Sequence, residues 1–141
     1  MQEDKLKIFV VEDHPVMRQG IVETINREAD FSVCGEADDA SPALSAIRAI
    51  HPAVALVDIQ LMSSNGIDLM TRLVKEMPSV RIVGMTMFDD HQHEHKARAA
   101  GACVFFNKQG GNEKLISAIR KALAGDESGA LSKSCPNGQL Q

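Results

Sequence analysis

The chain predicts an α/β fold, a doubly wound (βα)5 domain with five parallel strands covered by helices on both faces. Three observations predict it. Five short apolar runs recur along the sequence. Longer segments between them carry apolar residues at helical spacing. Proline or glycine stands where those segments should stop. Strands alternating with helices in this way imply a parallel sheet with right-handed crossovers.

The first run is Ile8-Phe9-Val10-Val11, and Met17, Ile21 and Ile25 then recur every four residues. The second run, Phe31-Ser32-Val33-Cys34, alternates apolar and polar and sets Phe31, Val33 and Gly35 on one side. That pattern reads as an edge strand. Ser41-Pro42 reads as an N-cap with proline at the first helical position, opening the stripe Ala43, Leu44, Ile47 and Ile50 that stops before Pro52. The third run is Val54-Ala55-Leu56-Val57, and the stripe Met70, Leu73, Val74 and Met77 stops at Pro78. The fourth run, Arg81 to Met85, precedes a polar, His-rich segment from about Asp90 to Ala100, the weakest helix by pattern. The fifth, Cys103-Val104-Phe105-Phe106, precedes the stripe Leu115, Ile119, Ala122 and Leu123, ended by Gly125. The first, third, fourth and fifth runs are nearly continuous, as in parallel strands covered on both faces. Residues 1–125 therefore read as one domain. The polar stretch 126–141 reads as a linker or disordered tail with no room for a recognition helix.

Composition excludes several classes of function. With 141 residues, 44% hydrophobic and 24% charged, the chain is ordinary globular material and large enough to fold without a staple. Fifteen Lys and Arg against nineteen Asp and Glu give a net charge of −4, a poor basis for gripping nucleic acid through its phosphates. No apolar run approaches the ~20 residues of a membrane span, and Met1 to Lys5 does not resemble a secretory signal, so a cytoplasmic location is expected. Cys34, Cys103 and Cys135 are far apart and form no C-x-x-C pair. This argues against a zinc site or disulfide framework, with Cys34 and Cys103 read as inert thiols in strands.

In sheets of this kind ligands sit at the carboxyl ends of the strands. The first strand runs into Glu12-Asp13, the third ends at Asp58, the fourth at Thr86, and the fifth at Asn107-Lys108. Each acidic residue alone is more often a turn or cap. Together they are harder to dismiss, because like charges ~4 Å apart repel by about 4 kcal/mol at an effective dielectric of 20. Such a cluster needs a cation or raised pKa values. Mg²⁺, which prefers hard oxygen ligands, is the natural cation. Lys108 and Thr86 add a fixed positive charge and a hydroxyl, a set suited to a phosphoryl group.

From about Lys5 to Gly125 the chain resembles a CheY-like receiver domain, the phosphoacceptor module of two-component response regulators. The stretches that carry this are Val10-Val11-Glu12-Asp13-His14, Val57-Asp58-Ile59 with Gly66 following, Met85-Thr86-Met87 and Phe106-Asn107-Lys108. Their ordered placement at strand ends is the specific signal. Glu12-Asp13-His14-Pro15 with Gly20, and the ending Ala118 to Gly125, resemble the NarL/FixJ (LuxR-type) group, as does Gln109 where many receivers carry proline. The resemblance implies a flavodoxin-like strand order 2-1-3-4-5 and phosphorylation of Asp58 by the phosphohistidine of a sensor histidine kinase or phosphotransfer protein. It implies Mg²⁺ held by Asp13, Asp58 and the backbone carbonyl of Gln60, with Glu12 on a metal-bound water. Thr86 and Lys108 would contact the phosphoryl oxygens, and Phe105 would be the switch aromatic that follows Thr86 inward. Such a domain catalyses only its own phosphorylation and dephosphorylation.

Its output would be a partner protein or a helix-turn-helix DNA-binding domain, for which residues 126–141 are too few. The chain is then expected to be a single-domain receiver or a regulator cut within its linker. A phosphorylation-dependent homodimer fits the family, through the fourth and fifth helices with the fifth strand or through the first and fifth helices, and the sequence does not choose.

Three positions depart from the common receiver pattern. Met62 stands where proline is usual, so a looser loop is expected. Phe105 lacks the hydroxyl of the usual tyrosine, and the bulk of Met87 is expected to restrict its travel. Other readings fit less well. A haloacid-dehalogenase-type phosphatase needs D-x-D after the first strand, and no glycine-rich loop supports a nucleotide binder. A pseudo-receiver would have lost an acidic residue or the lysine. His91 and His95 stand i, i+4 but have no third ligand fixed by spacing, so a solvated helix face is expected. His14 is expected to be a helix-start residue.

Overall fold

The computed structural model describes residues 5–87 and 91–125. Its elements are β1 (Leu6–Val11), α1 (Pro15–Asn26), β2 (Phe31–Ala37), α2 (Ala40–Ile50), β3 (Val54–Asp58), α3 (Gly66–Glu76), β4 (Arg81–Thr86), α4 (His91–Ala100), β5 (Val104–Asn107), a 3₁₀ turn (Lys108–Gly110) and α5 (Asn112–Ala124). The five strands form one parallel sheet in the order β2-β1-β3-β4-β5, as expected. Residues 126–141 lie outside the described residues, as does the side chain of His91, on which the i, i+4 histidine pairing turns.

Alternating side chains split the strands between two cores. Phe9, Val11, Ala55, Val57 and Ile82 pack with residues of α2, α3 and α4 on one face. Ile8, Val10, Leu56, Val83 and Met85 pack with residues of α1 and α5 on the other. All five residues of β3 are buried, since it lies mid-sheet with helices on both faces. β5 differs from its expected two-sided burial. It is an edge strand, and of its four residues only Phe106 is fully buried.

β2 is the other edge, and its alternation breaks. Ile8 pairs with Val33 but Phe9 pairs with Gly35, so Cys34 is an extra residue in a bulge. The bulge turns Gly35 away from the face of Phe31 and Val33. A Cβ on Gly35 would lie 2.7 Å from the Phe9 ring, in the opposite core. Cys34 is a free, half-buried thiol whose pKa is raised by burial. Cys103 is disulfide-bonded, against its reading as an inert thiol, and it precedes β5 rather than lying in it.

The helix ends have local causes. α2 begins before the expected Ser41-Pro42 start. Asp39 is the cap, its carboxylate accepting from Ala40 N at 2.9 Å, and its hydrogen bond with Ser64 Oγ ties it to the loop before α3. Asn65 caps α3 by accepting from Ile67 N at 2.8 Å. Gly66 opens α3 directly on the backbone of β3, where an added Cβ would stand 2.1 Å from the Asp58 carbonyl oxygen. Only glycine admits this approach, which brings the start of α3 against the last residue of β3.

Candidate functional site

The parallel strands deliver their last residues to one crevice beside the point where the chain order reverses, between β1 and β3. Glu12 and Asp13 follow β1, Asp58 ends β3, Thr86 ends β4, and Lys108 begins the turn after β5. Met85 pairs with Asp58 across the sheet, which sets Thr86 one step beyond it. Glu12, Asp58 and Thr86 are buried.

Lys108 is the centre of charge. Its Nζ donates to Glu12 Oε1 at 2.7 Å and to Asp58 Oδ2 at 3.0 Å, joining two carboxylates that are 46 residues apart in the chain. All three side chains are at most 3% exposed. Burial pushes the Asp58 carboxyl above its ordinary range, and the Glu12 charge adds to this; the Gln60 amide and Lys108 pull the other way and are outweighed. Burial also disfavours the charged form of Lys108, but the Glu12 and Asp58 carboxylates overcome it and hold the ammonium above its usual value.

Backbone donors finish the arrangement. Gln60 N donates to Asp58 Oδ1 at 2.8 Å, and Met62 N donates to Asp13 Oδ2 at 2.5 Å. The Thr86 hydroxyl donates to Gln60 Oε1 at 3.4 Å, which links the loop after β3 to the end of β4. The loop expected to be looser for want of proline is therefore tied to Asp58, to Asp13 and, through Ser64, to Asp39.

His14 is the N-cap residue of α1, as expected, yet it also enters the site. Its Nδ1 lies 3.2 Å from both Glu12 Oε2 and Asp13 Oδ1. The ring hydrogen-bonds Glu12, which leaves Asp13 Oδ1 buried without a hydrogen-bond partner. A buried carboxylate oxygen with no hydrogen bond is costly and is a natural place for a cation. Ligand atoms of Glu12, Asp13, His14 and Asp58 lie within 4.8 Å of one another. Opposite oxygens around Mg²⁺ are about 4.2 Å apart, twice the usual bond length, so the set needs little closing to fit.

Phe105 is half-buried and packs against the core on the α2, α3 and α4 side. Met87 instead lines a groove with Val16, Ile21, Phe106, Lys108 and Leu115, on the α1 and α5 side. Sequence reasoning missed the Met62 amide, the Gln60 side chain and the histidine ring. The first had a signal, since a residue other than proline brings an N–H with it.

A model of the response regulator receiver domain matches residues 8–120, and the chain belongs to that family. It is 32% identical over 126 residues to the transcriptional regulatory protein YxjL of Bacillus subtilis, covering 89% of this chain and 58% of that one. It thus spans little more than half of that relative's length. Its fold matches the signal receiver domain of NarL from Mycobacterium tuberculosis with a TM-score of 0.82 and 27% identity, over 87% of this chain and 99% of that one. It also matches a LuxR-family two-component response regulator from Aurantimonas with a TM-score of 0.83 and 28% identity, over 94% and 91% of the two chains. These similarities place it in the NarL/LuxR-type group of receivers.

Proposed function

We propose that this receiver takes a phosphoryl group onto Asp58 from the phosphohistidine of a sensor kinase or phosphotransfer protein, and passes the signal to a transcription-regulating output. The observation that carries this is the buried Asp58 carboxylate held between the Gln60 amide and Lys108, beside an unsatisfied oxygen of Asp13. An Asp58 oxygen attacks the phosphorus as the bond to the donor imidazole breaks, leaving an acyl phosphate. Such transfers depend on positioning and charge neutralisation. Lys108, already 3.0 Å from Asp58 Oδ2, is placed to meet the incoming negative charge.

Asp13, Asp58 and the Gln60 carbonyl would hold Mg²⁺, with Glu12 on a bound water. The ion would supply charge neutralisation on the phosphoryl oxygens. Thr86 would exchange its contact with Gln60 for the phosphoryl group, and Phe105 would follow it inward. The domain turns over only its own phosphate. We place it in the cytoplasm with its kinase partner; among the described residues no helix is long and apolar enough to cross a membrane.

The test is incubation with acetyl phosphate and Mg²⁺, read by intact mass. A gain of about 80 Da in wild type is expected, and none in Asp58→Asn or in EDTA. No gain in wild type, or an equal gain in Asp58→Asn, rejects this reading. Turnover of an unrelated phosphate ester would favour a phosphatase instead.

A further inference from the structure

Met62, in the loop between β3 and α3, is 82% exposed. Its backbone is not idle: the N–H reaches across 49 positions of sequence to Asp13 Oδ2, at 2.5 Å. A backbone N–H given to a carboxylate oxygen holds that oxygen in place. It holds Asp13 by one oxygen only. The other oxygen is buried, has no hydrogen-bond partner, and belongs to the cluster of ligand atoms shared with Glu12, His14 and Asp58.

We propose that the Met62 backbone amide is a positioning group for the cation site. It fixes the rotation of the Asp13 carboxylate, occupies Oδ2, and leaves Oδ1 as the oxygen offered to Mg²⁺. This rests on the reading of Asp13 as a metal ligand. Groups that orient a ligand from behind set metal affinity much as the ligands do. The identity of residue 62 then matters through its N–H rather than its side chain. Proline, which has no N–H, cannot fill the role. Gln109 shows the same use of an amide, its N–H donating to Asn107 Oδ1 at 2.8 Å in the turn after β5.

The test is a titration of the full chain with Mg²⁺ alone, followed by ¹H–¹⁵N NMR. Met62→Ala keeps the N–H and should retain wild-type affinity. Met62→Pro should weaken Mg²⁺ on the order of 10-fold. In an Asp13→Ala background, adding Met62→Pro should weaken it no further, because the amide acts through Asp13. The Met62 amide proton should resonate downfield in wild type and move upfield in Asp13→Ala, which decides the matter if Met62→Pro does not fold. Wild-type affinity in Met62→Pro, an equal loss in both backgrounds, or an amide proton that ignores Asp13→Ala overturns the proposal alone. Failure of wild type to bind Mg²⁺ overturns the cation reading and the proposal with it.

Discussion

Asp58 is ionised at a cost. Its folded pKa lies above the ordinary aspartate value because it is buried and faces Glu12, and Lys108 only partly offsets this. A carboxyl raised on folding contributes stability that is full below its unfolded pKa and is lost as pH rises through the folded value. Near neutral pH and without divalent cation, the wild-type chain therefore carries an unfavourable charge that Asp58→Asn removes. The variant should resist urea better than wild type in EDTA, and its advantage should shrink as pH falls into the ordinary carboxylate range. Added Mg²⁺ should stabilise wild type more than the variant. Equal urea midpoints at neutral pH in EDTA would show that Lys108 fully compensates the burial.

At the scale of elements, helix ends and loops carry the site. Gly66 lets α3 start on the Asp58 backbone, and the loop before it is tied to three carboxylates on different elements. Farther from the site, α2 and α3 are clasped at their C-terminal ends by Glu76. It accepts from Arg48 at 2.8 Å and from Arg72 at 2.9 Å. The Arg48 and Arg72 hydrogen bonds lower its pKa from 4.5 to about 2. For a depressed acid the contribution is present above the unfolded pKa and lost as pH falls through the folded one. The window here runs from 4.5 down to about 2. Glu76→Gln lacks this titration. Urea midpoints at about pH 6 and about pH 3 should therefore fall further in wild type than in the variant. Parallel losses would mean the clasp is broken by solvent.

For the whole molecule, one sheet divides two cores, and β3 serves both. Leu56 is fully buried in the α1 and α5 core. Leu56→Ala should cost about 2–5 kcal/mol in urea unfolding. Val16, 84% exposed on α1 beside the site, should cost under about 0.5 kcal/mol when changed to Ala. Circular dichroism and NMR are the appropriate probes, since the chain has no Trp and no Tyr. A Leu56→Ala cost as small as that of Val16→Ala would mean the core around β3 collapses onto the gap.

By itself the sequence determined the (βα)5 order, the helix stops at Pro52, Pro78 and Gly125, and the strand ends that carry Glu12, Asp13, Asp58, Thr86 and Lys108. These are local properties. Burial imposes a period on the chain, and proline and glycine interrupt it, so they can be read without knowing what lies across the fold. The bulge at Cys34 could not be read that way, because a one-residue slip depends on the register with β1. Nor could the exposed edge of β5, since a continuous apolar run looks the same at the edge as in the middle. Only the tertiary structure decided which oxygens of the site are satisfied. Lys108 joins Glu12 to Asp58, Met62 N–H holds one oxygen of Asp13, and the other is buried without a hydrogen bond. Hydrogen-bond partners are chosen by distances and directions of a few ångströms between segments far apart in sequence, and no local pattern encodes them.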